Sequence, residues 1–359
     1  MKTLTGITCI AAGFALTANA TAGRAQTSQS AWAVPRQLVV KHQEVTFSSA
    51  GAQLSGTLFY PENRRSLAAV VVLHAASDPS RDAPLYDHLK QMLPPLGVAV
   101  FVFDRRGTGE SNGGGHGSHD FDVLSDDGVA AFRMLSKDSR IDPRRIGFWG
   151  LSQGGWLTLL AARKEPRAAF AIAASAPMVT ADVQMNFASV NILRVRGYPQ
   201  ATIDQAIATR HAIDDYVRGK GNRTTVSQAL SAAEKQPWFE EIYLSGKMID
   251  DPDWRQQISS DPMRSIKGSS VPTLLIYGQE DLWIPVGTTI RKLEASAGLH
   301  PNITTKIIAD ASHEMMIGTD PKDEIDPTKF PNFAPNAPEY FGIMSAWLTS
   351  RGITKAEFR

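Results

Sequence analysis

The stretch Arg145-Ile146-Gly147-Phe148-Trp149-Gly150-Leu151-Ser152-Gln153-Gly154 decides the fold. An apolar, strand-like run leads directly into G-x-S-x-G, the nucleophile-elbow pattern, in which a tight strand-to-helix turn lifts a serine hydroxyl above a sheet. Glycines flank the serine because strand and helix approach too closely there for larger side chains. Residues 155–162 then read as a helix, which completes the context the motif requires. Five residues of this kind also arise by chance, so the rest of the chain decides whether Ser152 is a nucleophile or a turn serine.

On both sides the chain alternates strand-like and helix-like segments. Residues 67–73 and 97–103 are continuous apolar runs, as strands covered on both faces should be, and residues 168–173, 272–277 and 303–308 continue the series. Helical spacing occupies 85–93, 121–135 and 338–348, and residues 38–60 alternate around Ser49-Ala50-Gly51 as an antiparallel hairpin. This order predicts an α/β fold with a mostly parallel, doubly wound sheet and right-handed crossovers. Between Pro177 and Val271 no strand-like run occurs, only helical patterns such as 203–217 and 225–234. That interval is too long for a connecting loop. It predicts a helical cap over 179–267, inserted in a core formed by 36–178 and 268–359 and lying over the carboxyl ends of the strands, where ligands bind in such sheets.

The chain has 359 residues, 43% hydrophobic and 20% charged, with 37 basic and 36 acidic side chains. That balance offers no electrostatic footprint for nucleic acid or an anionic membrane. At the N-terminus, Lys2 precedes an apolar stretch ending in Ala18-Asn19-Ala20, the pattern of a signal peptide over 1–20 with a second cleavage site after Ala25. At about 15 weakly apolar residues the stretch is too short to span a bilayer. A secreted or periplasmic protein without stable membrane association is expected. The single cysteine, Cys9, lies inside this leader, so the processed chain would hold neither disulfide nor thiolate metal site.

A serine hydroxyl needs a base to take its proton and an acid to orient that base. Two positions follow in the required order. Asp281 closes Tyr277-Gly278-Gln279-Glu280-Asp281 after one strand, and His313 sits in Asp310-Ala311-Ser312-His313-Glu314 after the next. Glu280 and Asp310 are the neighbouring rivals for the acid. Serine, acid and histidine then share one rim of the sheet.

Together, Leu73-His74-Ala75-Ala76, Asp104-Arg105-Arg106-Gly107-Thr108-Gly109-Glu110-Ser111, the elbow, Gly278–Asp281 and Ser312-His313 resemble the α/β-hydrolase superfamily. The pattern is most similar to its esterase and serine-aminopeptidase-like branch, and covers about residues 40–178 and 268–350. The resemblance implies that Ser152 attacks an acyl carbon, His313 removes its proton and Asp281 holds the imidazole. It also implies that the backbone N–H groups of Gln153 and Ala76 meet the oxyanion. This chain carries His74-Ala75 where the family usually carries His-Gly, which leaves the second donor open between Ala75 and Ala76.

Other residues divide between structural and functional roles. His74 is expected to support the oxyanion loop, and Asp104, Arg106 and Gly107 to brace the sheet edge. His116 and His119 sit in a glycine loop without a zinc-type ligand set. Trp156 is expected to pack inside, while Trp238, Phe239, Trp254 and Trp283 line an acyl pocket or form the core of the cap. Residues 318–338, rich in proline, are placed at the entrance.

The expected function is hydrolysis of a small-molecule carboxylic ester through an acyl-enzyme, which requires no cofactor or metal. An exported peptidase or amidase with the same triad is the alternative, using Glu240, Glu241, Asp250, Asp251 and Asp253 of the cap to hold a substrate amine. A non-catalytic binding protein on this fold would not be expected to keep all three of Ser152, Asp281 and His313. A dehalogenase would place aspartate in the elbow.

Overall fold

A computed structural model describes residues 38–62, 64–115, 119–296, 300–326, 329 and 335–354. The expected leader with its cleavage sites, and His116, lie outside them. The described strands form an eight-stranded sheet in the order β1-β2-β4-β3-β5-β6-β7-β8. β1 (Val40–Ser49) and β2 (Ala52–Pro61) make the expected hairpin, and β2 joins β4 (Val98–Phe103) antiparallel. The remaining neighbours, β3 (Leu67–Leu73), β4, β5 (Ile141–Leu151), β6 (Phe170–Ala174), β7 (Thr273–Gly278) and β8 (Ile303–Ile308), pair in parallel.

The continuous apolar runs are explained by two covered faces. Ala69, Val71, Leu73, Phe101 and Phe148 face a cluster shared with α2 (Phe121–Leu135) and α3 (Gln153–Lys164). Their alternating neighbours Val70, Val72, Val100, Val102 and Trp149 face Tyr86, Leu89 of α1 (Asp87–Met92), and Tyr340 and Met344 of α12 (Pro338–Ser350). A period of two with both phases apolar is what a doubly covered strand needs. β5 begins four residues earlier than the apolar run suggested. Pro143 interrupts the pattern there, and the pairing with β3 tolerates it through a register shift between Leu67 and Ala69.

Between β6 and β7 the chain is helical throughout: α4 (Ala181–Val195), α5 (Gln200–Val217), α6 (Arg223–Ala233), α7 (Trp238–Glu241), α8 (Pro252–Ser259) and α9 (Met263–Ile266). Helix α4 escapes a periodicity search because its inner face is built largely from small or polar residues, Ala181, Ala188 and Ser189 beside Ile192 and Leu193. Two of its amides reach the core. Gln184 Nε2 donates to the Trp283 carbonyl and Asn191 Nδ2 to that of Leu282, both at 3.0 Å. α10 (Val286–Ala295) and the short α11 (Pro321–Glu324) follow β7 and β8.

The charged loop after β4 braces the sheet edge as expected. Arg106 Nε donates to Asp127 Oδ2 of α2 at 2.8 Å, its Nη2 reaches Oδ1 of the same carboxylate, and both side chains are buried. Removing one partner of a buried pair strands the other charge, so Asp127→Ala is expected to cost about 3–5 kcal/mol of unfolding free energy. Urea unfolding followed by circular dichroism measures this. A loss no larger than at an exposed site would show that the pair does not hold the loop.

Candidate active site

Ser152 stands between β5 and α3 with φ 58° and ψ −121°, dihedrals that glycine normally occupies. The surroundings enforce this conformation. A Cβ on Gly150 would overlap the Gly154 carbonyl, and one on Gly154 would overlap the Leu73 carbonyl, so the elbow fits only with glycine at both places. The Ser152 N–H donates to the Ala174 carbonyl at the end of β6 (2.9 Å), and its hydroxyl forms no cap bond to its own helix. The side chain is half-buried at the rim.

Asp281 and His313 come together across the ends of β7 and β8. His313 Nδ1 lies 2.8 Å from Asp281 Oδ2, and both residues are 5% exposed. The other oxygen, Asp281 Oδ1, accepts the N–H groups of Trp283 (2.7 Å) and Ile284 (2.8 Å), which locks the carboxylate plane. Both rivals, Glu280 and Asp310, point into solvent. The histidine backbone is held as well. Its carbonyl accepts Ser175 Oγ (2.7 Å) and its N–H donates to Glu324 Oε1 (3.3 Å). Ser175 follows Ala174, the residue that holds the Ser152 N–H, so the end of β6 spaces the elbow from the histidine loop.

Burial lowers the affinity of the His313 imidazole for a proton, but the charge and hydrogen bond of Asp281 outweigh it, with Glu314 and Glu324 adding to them. The net shift is upward. Glu324 is itself pushed up to about 7 by burial and by its acidic neighbours.

The loop after β3 carries Ala75 and Ala76, the two candidates for the second oxyanion donor. The Ala75 N–H is already taken up, donating to Tyr86 Oη at 3.1 Å, whereas Ala76 is exposed at the rim. His74 is buried beneath this loop with Nε2 against the Phe103 carbonyl, and burial, helped by the Arg105 charge, lowers its pKa to about 3. It is a neutral support. Arg105 lies beside it, with Nη2 donating to the Ala75 carbonyl (2.8 Å) and to Gln153 Oε1 (2.9 Å).

The aromatic candidates separate. Trp156 is buried edge-on against Phe121, and Trp238, Phe239 and Trp254 are buried within the hydrophobic core that includes the insertion. Trp283 alone among them approaches the site, with its ring 6.3 Å from that of His313 and 5.8 Å from that of Tyr243. Tyr243 is exposed and has a left-handed φ of 58°. Several acidic residues of the insertion are engaged elsewhere. Asp250 pairs with Arg223, Asp251 caps α8, and Glu241 accepts from Tyr198 Oη. Sequence reasoning did not single out Arg105, Tyr86, Ser175 or Glu324. Each acts through a partner distant in the chain, and no local pattern marks it.

Comparison with known proteins agrees with this fold. The family model described as serine aminopeptidase, S33, matches residues 64–320. Polyketide transferase ATR5 of Stachybotrys chlorohalonatus is 33% identical over 140 residues, 39% of this chain and 46% of that protein. Polyketide transferase claH of Penicillium crustosum is 30% identical over 142 residues, with the same coverage of each chain. The chain thus spans about half the length of the curated relatives it matches. Among solved structures, Pyrococcus furiosus esterase Pf2001 superposes with a TM-score of 0.56 at 17% identity, covering 86% of this chain and 91% of that one. Est1E of Butyrivibrio proteoclasticus gives 0.52 at 14% identity, covering 86% and 98%. The structural likenesses show the fold, while the family match spans the β3 loop, the elbow, Asp281 and His313, and by it the chain belongs to the serine aminopeptidase S33 family of the α/β-hydrolase superfamily.

Proposed function

We propose that this protein is an exported serine hydrolase that cleaves carboxylic esters through an acyl-enzyme. The observation that carries the proposal is the Asp281–His313 pair set at the same sheet rim as the strained Ser152 elbow. In the proposed reaction His313 Nε2 takes the Ser152 proton as Oγ bonds to the acyl carbon. The carbonyl electrons move onto oxygen, and the imidazolium then protonates the departing alkoxide. Water repeats the sequence on the acyl-enzyme and releases the acid. Asp281, fixed through Oδ1, stabilises the imidazolium through Oδ2. The oxyanion is met by the N–H groups of Gln153 and Ala76, because the Ala75 N–H is committed to Tyr86. The leader-like N-terminal segment supports export.

An amine-bearing substrate, which the family description suggests, would need open carboxylates in the insertion. The engagement of Asp250, Asp251 and Glu241 by Arg223, α8 and Tyr198 removes three of the five candidate carboxylates and favours an ester, while exposed Glu240 stays open to an amine. The test compares nitrophenyl esters of increasing acyl length with aminoacyl nitroanilides. Turnover of esters supports the proposal, whereas turnover of the anilides alone replaces it with a peptidase.

His313 must be neutral to accept a proton, and its pKa is raised, so kcat/KM should fall with acidification through a limb above the ordinary imidazole value of 6.5. Glu324→Gln keeps an acceptor for the His313 N–H but removes one of the anions that raise this pKa. The acid limb of a pH–rate profile should therefore move to lower pH. An unmoved or higher limb would show that Glu324 does not act on the histidine.

A further inference from the structure

Three arginines lie in the loops that follow β3 and β4, and two of them are neutralised. Arg81 faces Glu44, Asp104 and Glu110, and Arg106 faces Asp127. Arg105 is different. It is 5% exposed, its Nε has no hydrogen-bond partner, and among the described residues no carboxylate lies within ion-pair distance of it, Asp78 acting on it only from farther away. A buried guanidinium in this position is costly for the folded protein unless another charge answers it during function.

Its contacts show where that charge would form. Nη2 grips the Ala75 carbonyl at 2.8 Å and Gln153 Oε1 at 2.9 Å, with the His74 carbonyl at 3.4 Å. The Ala75 carbonyl and the Ala76 N–H belong to one peptide unit, and no cis bond occurs among the described residues. In a trans peptide these two groups point in opposite directions. The guanidinium therefore holds the carbonyl end and directs the N–H end away from itself, at exposed Ala76. A cation donating to the carbonyl also polarises the N–H of the same amide and strengthens it as a donor. The same Nη2 holds Gln153, whose backbone N–H is the other proposed donor.

We infer that Arg105 is a positioning residue for the oxyanion hole: one buried guanidinium bridges the two segments that supply its donors, and its charge gains a close partner when the oxyanion forms. The inference rests on the proposed serine-hydrolase reaction. Because the oxyanion exists only in the tetrahedral state, the effect belongs in kcat and not in KM.

The experiment compares wild type, Arg105→Gln and Arg105→Lys in kcat and KM on a nitrophenyl ester, in Tm, and in inhibition by phenylboronic acid. The boronic acid accepts a Ser152 Oγ lone pair to give a tetrahedral anion while the hydroxyl proton passes to His313. Arg105→Gln should lower kcat by roughly tenfold to a hundredfold, less than the roughly 10²–10³ for losing a donor outright. KM should stay within about twofold while boronate affinity falls by the same factor as kcat. Arg105→Lys, which keeps the charge but not the planar fork, should fall between the two. If Arg105→Gln does not fold, Arg105→Lys carries the test, with kcat and boronate affinity expected to fall together. Unchanged kcat, or a loss of kcat without a matching loss of boronate affinity, overturns the inference. A wild-type protein without turnover of any ester or anilide removes the hydrolase reaction itself, a failure visible before any Arg105 variant is made.

Discussion

Ser152→Ala is expected to lower kcat by about a millionfold, with KM nearly unchanged, because in the proposed reaction the nucleophile, base and acid act as one unit. The background that remains would come from binding and the oxyanion donors alone. Alanine has the same backbone restrictions as serine, and the glycines at 150 and 154, not the hydroxyl, permit the turn. The variant should therefore fold with an unaltered Tm. Ester turnover and covalent labelling by a fluorophosphonate measure the effect, and both should vanish together. Activity within about tenfold of wild type would remove Ser152 from the mechanism.

Asp281→Asn should cost about 10⁴ in kcat while leaving the fold in place. The two carboxylate oxygens have separate tasks. Oδ1 accepts the N–H groups of Trp283 and Ile284, and an asparagine oxygen can do the same. The amide nitrogen would then occupy the Oδ2 position and present a donor to His313 Nδ1. That favours the tautomer with its proton on Nε2, which cannot accept from Ser152. A Tm close to wild type with collapsed kcat is the expected result, from differential scanning calorimetry beside steady-state kinetics. A large fall in Tm would instead mark Asp281 as principally a loop anchor.

The sheet was legible because its inner strands are buried on both faces and show as unbroken apolar runs such as residues 67–73 and 98–103. The elbow was legible for a related reason: Gly150 and Gly154 are demanded by backbone clashes, so the constraint is written into adjacent residues. Asp281 could be separated from Glu280 only by its place in the turn, and burial of one and exposure of the other now explains the choice. What sequence could not carry is the support behind each group. Ala75 is 11 residues from the Tyr86 hydroxyl, Arg105 is 48 from Gln153, and Ser175 is 138 from the His313 carbonyl it holds. Such links follow from how loops pack, not from any period. The second oxyanion donor was open between Ala75 and Ala76 for this reason, since the choice turns on a tyrosine that no motif contains.

The two amide bonds from α4 to the Leu282 and Trp283 carbonyls carry a consequence for protein engineering. They attach the insertion to the backbone that directly follows Asp281. The insertion is therefore not an exchangeable module. A chimera that borrows the corresponding segment from another hydrolase, without amides at 184 and 191, would inherit a loop whose carbonyls have lost their donors beside Asp281. Transplanted selectivity would arrive with a displaced Asp281 unless those two side chains are written back into the graft.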